Sequence, residues 1–191
     1  MRVSRAQAEE NRRRVVETSS RLFREHGFDG IGIADLMKAA GLTQGGFYKQ
    51  FTSKEELARE ASEQALEENL AFWQRMREQG GEQAFAAFVE RYLSATHRDA
   101  ADRGCLLAAC SGHTRHRAQP VRAVFSKAVE DYAGLLTEMK RQAGVEMSRP
   151  EALAVLSQIV GALMLSRAVD EPALSDEILQ AAVARLTDDR R

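Results

Sequence analysis

Cysteine is scarce. The chain of 191 residues holds two, Cys105 and Cys110, too few for a disulfide framework, so a reducing, cytoplasmic setting is expected. Proline occurs at 120, 150 and 172 alone, each time between periodic segments. Runs of β-branched residues alternating with polar ones are missing, which argues against a half-buried sheet. The longest unbroken apolar stretch near the C-terminal end includes Leu163, Met164 and Leu165, far short of the ~18 residues of a membrane span. The opening arginines (Arg2, Arg5, Arg12, Arg13, Arg14) come without an apolar core, so neither a secretory signal nor a membrane partner is expected. A net charge of −1 excludes a wholly basic coat for nucleic acid. Dinucleotide-binding, zinc-protease and Ser/His/Asp patterns are absent as well. The expectation is therefore a protein that is not an enzyme and needs no cofactor.

Helical periodicity fills the space left by these absences. Val15, Val16, Ser19, Leu22, Phe23 and His26 form one stripe, ended by Gly27. Leu57, Ala61, Leu66, Leu70, Trp73 and Met76 form a second, ended by Gly80–Gly81. Further stripes run over Phe85–Leu93, Val121–Met139, Leu153–Met164 and Ile178–Leu186. Ser53 and Ser148 each stand three residues before a glutamate, the pattern of a capping box. The spacing predicts an all-α chain of about nine helices. Charge divides unevenly along it. Up to Lys54 there are ten basic and six acidic residues; beyond it there are seventeen and twenty-two. The positive excess sits at the N-terminal end, which suits a polyanionic partner.

Residues 27–56 carry the most specific chemistry. Ile33, Leu36 and Met37 mark one face of a short helix. Gly41 follows as a left-handed stop, and Thr43 is placed to cap a second short helix from Gln44 to about Gln50. Helix, glycine turn, helix is the helix-turn-helix plan, whose second helix enters the major groove. Gly45 and Gly46 in the first turn disfavour a helix by roughly 1 kcal/mol each relative to alanine. They make sense where a duplex approaches the backbone. Phe47 and Phe51, four apart, point inward, leaving Tyr48 and Lys49 outside. Gln44 suits adenine, Lys49 suits guanine or a phosphate, and Lys54 stands at a helix start that favours phosphate. One half-site discriminates too weakly for a genomic address, so a dimer on a pseudo-palindromic operator is expected. Arg2 and Arg5 are read either as an arm adding phosphate contacts or as a solvated tail.

Val15–Phe28, Ile33–Leu36, Ala39–Thr43, Gly46–Phe51 and Ser53–Leu57 together make residues 9–69 resemble the DNA-binding domain of the TetR family of bacterial transcriptional regulators, with the helix-turn-helix at about 32–51. The resemblance implies that residues 70–191 form an effector-binding and dimerisation domain. It implies DNA contacts at Thr43, Gln44, Gly45, Tyr48, Lys49 and Lys54. Gly32 stands where the family often has Ser or Thr, so a phosphate contact there falls to its backbone N–H. It further implies that some of Trp73, Phe88, Tyr92, Cys105, Phe125 and Met164 line a cavity for a small-molecule effector. Leu163, Ile178, Leu179, Val183 and Leu186 are assigned to the homodimer interface, with a completed monomer core as the alternative. The expected mechanism is a repressor released when its effector binds.

The remaining candidates concern Cys105, Cys110, His113 and His116. Their spacing matches no strong structural zinc pattern, and on one helix Cys105 and His116 would lie about 16 Å apart. A break at Gly112 would relieve part of that distance. An internal disulfide would need Cα atoms within ~7 Å, whereas five helical positions span about 8–9 Å. Buried, inert cysteines are one reading and a thiol sensor for oxidants or electrophiles at Cys105 is another. A small enzyme pairing Cys105 with His113 and a protein-binding adaptor complete the set.

Overall fold

The computed structural model describes residues 4–188, and these contain helices and turns but no strand. The α-helices are α1 (Arg5–His26), α2 (Ile33–Ala39), α3 (Lys54–Gly80), α4 (Ala84–Tyr92), α5 (Ala95–Asp99), α6 (Leu106–Cys110), α7 (Gln119–Gln142), α8 (Arg149–Ala168) and α9 (Pro172–Thr187). The nine helices agree with the periodicity. Several stops and starts are those the sequence marks. Gly27, Gly41 and Gly81 all take positive φ, which glycine adopts without steric penalty. Ser148 forms a reciprocal capping box with Glu151. Ser53 accepts from the Glu56 N–H, but the Glu56 carboxylate reaches back to the N–H and hydroxyl of Thr52 instead. That pair of donors, with Arg12, holds the Glu56 carboxyl down at about 2.

α1, α2 and the start of α3 enclose a small core of Val15, Phe23, Phe28, Leu36, Phe47 and Phe51. α3 then continues, unbroken, into a larger bundle with α4, α7, α8 and α9, centred on Trp73, Phe88, Tyr92, Tyr132 and Leu163. The expected boundary at 69/70 falls inside this helix.

Two features of the apolar helices bear on the expectations. α8 contains an 18-residue window with a mean hydropathy of 1.3, so this helix is long and apolar enough to cross a membrane by length and composition. Ser157, Gln158 and Gly161 interrupt its apolar run. Only a third of that window is buried. The other is a correction and concerns facing. Leu163 and Leu179 are buried inside the chain, while Met164, Leu165 and Leu174 stand exposed. Adjacent helical positions differ by about 100° (3.6 residues per turn), so inward and outward residues sit side by side in an apolar run.

Candidate nucleic-acid interface and effector cavity

The segment after Gly41 is a 3-10 helix, Gln44–Lys49, rather than the expected α-helix. Two glycines in six residues weaken the α state, and the tighter 3-10 turn suits so short a piece. Thr43 occupies the cap position, but its hydroxyl makes no capping bond and remains exposed. Phe47 is fully buried and stacks on Phe51 at 5.5 Å, which anchors the turn. Gly32, Thr43, Gln44, Gly45, Tyr48 and Lys49 are all exposed, Tyr48 by 70%. A Cβ placed on Gly45 would meet nothing within 4 Å, so the chain itself does not require glycine there.

Lys54 behaves otherwise than expected. Its ammonium donates to the Ile31 carbonyl at 2.6 Å and lies 5.9 Å from the Phe23 ring. Burial lowers its pKa, with Asp29 and Glu55 opposing. The side chain therefore braces the turn before α2 instead of standing free for a phosphate. Arg5 pairs with Glu9 on the surface; Arg2 lies outside the described residues. A brace that the sequence did not disclose is Arg12. It sits over the Phe51 ring, donates to the Gln50 carbonyl, and pairs with Glu56 and Glu60.

A cavity of about 370 Å³ opens between α3, α4 and the Thr96–Cys105 segment. Trp73 and Cys105 line it. Phe88 and Tyr92 pack behind Trp73 at 4.8 and 6.0 Å. Phe125 and Met164 are elsewhere: Phe125 packs edge-on against Phe28, and Met164 is on the outer face of α8. Asn69, Phe72, Arg91, His97 and Arg103 also line it and were not singled out from sequence. His97 has a defined tautomer. The Cys105 N–H donates to its Nε2 at 3.0 Å, so Nδ1 carries the proton and donates to the Tyr92 carbonyl at 2.7 Å. Burial pushes its pKa down to about 4. The Tyr92 and Tyr132 hydroxyls are buried beside the Cys105 thiol and lack a well-formed hydrogen bond.

The two cysteines differ in place and chemistry. Cys105 precedes α6 as its cap residue, whereas Cys110 ends that helix and directs its thiol at the Phe23 carbonyl, 3.3 Å away. Burial pushes the Cys110 thiol up to about 12.

Four further ties join the cavity side to the small N-terminal core. Arg24, buried, donates to the Gly104 carbonyl at 3.1 Å and faces Glu68 at 3.4 Å. Arg117 bridges Asp29 and Glu55, and the Ala118 N–H also donates to Glu55. His113 covers Gly27 so closely that an added Cβ would lie 3.0 Å from the imidazole.

Comparison with known proteins agrees with this geometry. Residues 15–61 match the profile of bacterial regulatory proteins of the tetR family. The HTH-type transcriptional regulator LmrA of Bacillus subtilis is 28% identical over 165 residues, covering 82% of this chain and 86% of LmrA. The HTH-type transcriptional repressor NemR of Escherichia coli K12 is 26% identical over 135 residues, or 68% of this chain and 66% of NemR. The solved structure of E. coli NemR in its reduced form superposes with a TM-score of 0.78 at 20% identity, covering 94% of this chain and 97% of that one, and so shares the fold. The chain is thus similar to the TetR family of bacterial transcriptional regulators, by profile over residues 15–61 and by fold over most of its length.

Proposed function

We propose that the chain is a homodimeric repressor, acting in the cytoplasm, that binds a pseudo-palindromic operator through Gln44–Lys49 and is released by a small effector in the Trp73–Cys105 cavity. It carries no catalytic role. The observation that carries this reading is the turn itself. Phe47 anchors it from below, while Gln44, Gly45, Tyr48 and Lys49 face solvent together. Gln44 reads a base edge; Thr43, Tyr48 and Lys49 hold the backbone. The start of α3 offers its N–H groups to a phosphate. Residues 9–69 serve as the DNA-binding unit and 70–191 as the effector and dimer unit. Exposed Met164, Leu165 and Leu174, with Gly161, Ala168, Ala181 and Ala184, give α8 and α9 an outer face suited to a second copy, on which Ile178, Val183 and Leu186 lie half-buried.

Selection from a random duplex pool at stated salt tests the reading, followed by titration of the selected site. Enrichment of a two-fold symmetric site, with Gln44→Ala relaxing one position in each half, is the expected result. Lack of any enriched sequence rejects it. A second reading places sensing in the Cys105 thiol, because this buried residue lines the cavity and its thiol neighbours the unpartnered Tyr92 and Tyr132 hydroxyls. Cys105→Ser that still responds to every effector able to release the wild type rejects this second reading.

A further inference from the structure

The cavity does not end at Arg103. Glu68 and Arg103 also line a neighbouring cleft of about 570 Å³, formed with Arg14, Arg21 and Arg24 of α1. The first hollow is aromatic, with Phe72 and Trp73 edge to face at 4.7 Å. The second is cationic. Its carboxylates are already engaged: Glu17 pairs with Arg13 at 2.7 Å, and Glu68 accepts from Gln64 and faces Arg24. By contrast, the Arg21 and Arg91 guanidiniums have no hydrogen-bond or ion-pair partner among the described residues. Arg103 has only a 3.6 Å approach to its neighbour Asp102. Operator DNA does not account for these charges. Glu68 stands fourteen residues along α3 from Lys54, about 21 Å up the axis at 1.5 Å per residue.

We infer that the two hollows form one site for an anionic amphiphile. A short acyl or aryl group lies against Phe72 and Trp73, and a phosphate or carboxylate tail rests on Arg21 and Arg103 of the second hollow. The inference rests on the regulator reading above and names the effector class for it. The volume of the aromatic part is at the small end for ligand pockets, which suits a short chain or a single ring. Arginine suits the tail because its planar fork donates in pairs to either anion.

Trp73 is the sole tryptophan, so its emission reports occupancy directly. Three probes sharing one short acyl group separate the possibilities: the coenzyme A thioester, the free acid and the neutral amide. The expected result is that an anionic probe saturates the signal at a concentration at least tenfold below the amide. The thioester leads if the tail is phosphate and the acid leads if it is carboxylate. Arg21→Gln combined with Arg103→Gln removes that preference and leaves the amide unchanged. Both side chains are exposed, and a thermal melt confirms that the double variant folds. Equal affinity for all three probes, or a double variant that binds like wild type, overturns the inference. Operator affinity is read on the same samples by anisotropy. Anion binding that leaves it unchanged supports the site and overturns the regulator reading beneath it. No anion binding, with operator affinity intact, overturns the site alone.

Discussion

Gly45→Ala separates stability from DNA binding by sign. In the structure a Cβ at this position enters open space, and φ is negative. Alanine therefore meets no steric penalty within the chain and restricts the unfolded state, a gain of about 0.4–1 kcal/mol. For a chain of this size that raises Tm by roughly 1–4 °C. The same methyl stands between the recognition turn and the wall of the groove. A displacement that loses one good base-edge contact weakens binding by ~1–3 kcal/mol, or about fivefold to 150-fold in Kd. Thermal melts and anisotropy titrations on the selected operator, at one salt concentration, give both numbers. A variant that is more stable and binds as well as wild type refutes the reasoning, because the bare turn then has no docking purpose. A less stable variant refutes the structural half of it.

The remaining predictions concern the buried charges and the thiols. Arg24→Met removes donors from the Gly104 carbonyl and from Ser20, while half-exposed Glu68 stays solvated. A loss of about 2–4 kcal/mol follows from hydrogen bonds to a charged group, a drop in Tm on the order of 5–10 °C, and a melt within 2 °C of wild type contradicts it. His97 is neutral in both states above its ordinary value of 6.5; as the pH falls from there towards about 4, the unfolded chain binds a proton that the folded chain refuses. Stability should therefore decline by up to ~1.4 kcal/mol per pH unit in that window. Urea melts of wild type and His97→Gln between pH 7 and 4.5 check it, and parallel curves disprove it. Cys110, with its thiol pushed up to about 12, should resist iodoacetamide at pH 8 in the native protein, as peptide mapping would show. Lys54→Ala should weaken binding to every DNA sequence alike by loosening the Ile31 turn, and a changed sequence preference in the selection would count against that account.

What the residues disclosed on their own depended on how local the cause was. Gly41 and the Phe47/Phe51 pair act within a few residues of themselves, so the turn, its buried side and its exposed side were legible. Lys54 was misread because its partner, the Ile31 carbonyl, lies 23 residues earlier and is brought close only by tertiary packing. Arg24 and Arg117 look like any surface arginine in sequence, yet Arg24 is buried and Arg117 bridges two acids from different elements. Met164 was placed in the cavity and Leu163 on an outer face, the reverse of their burial, because α8 is apolar on most sides, so hydrophobicity alone does not reveal which side faces inward. His97 was passed over since its role rests on a backbone N–H and a backbone carbonyl, which leave no trace in residue type.

The ties between cavity and DNA-binding unit constrain how release can work. Arg24–Gly104, Cys110–Phe23, His113–Gly27 and the Arg117 bridge all end on α1, on the turn after it or at the start of α3. None of these contacts ends on Gln44–Lys49. A displacement of the Gly104–Arg117 segment thus moves the three-helix unit as a body, with Arg12 and Phe47 keeping its internal shape. An operator-bound dimer needs two such units at one spacing, about 34–36 Å apart, so a small rotation of each is enough to lose the second half-site. Allosteric coupling typically amounts to 1–3 kcal/mol, the scale of one or two hydrogen bonds to a charged group. Cys105, at the wall of the cavity, directly follows Gly104 and donates its N–H to His97. Under the proposed function, an effector has only to remake the Gly104–Arg24 contact to shift the balance between two orientations, with the Gln44–Lys49 turn itself unaltered.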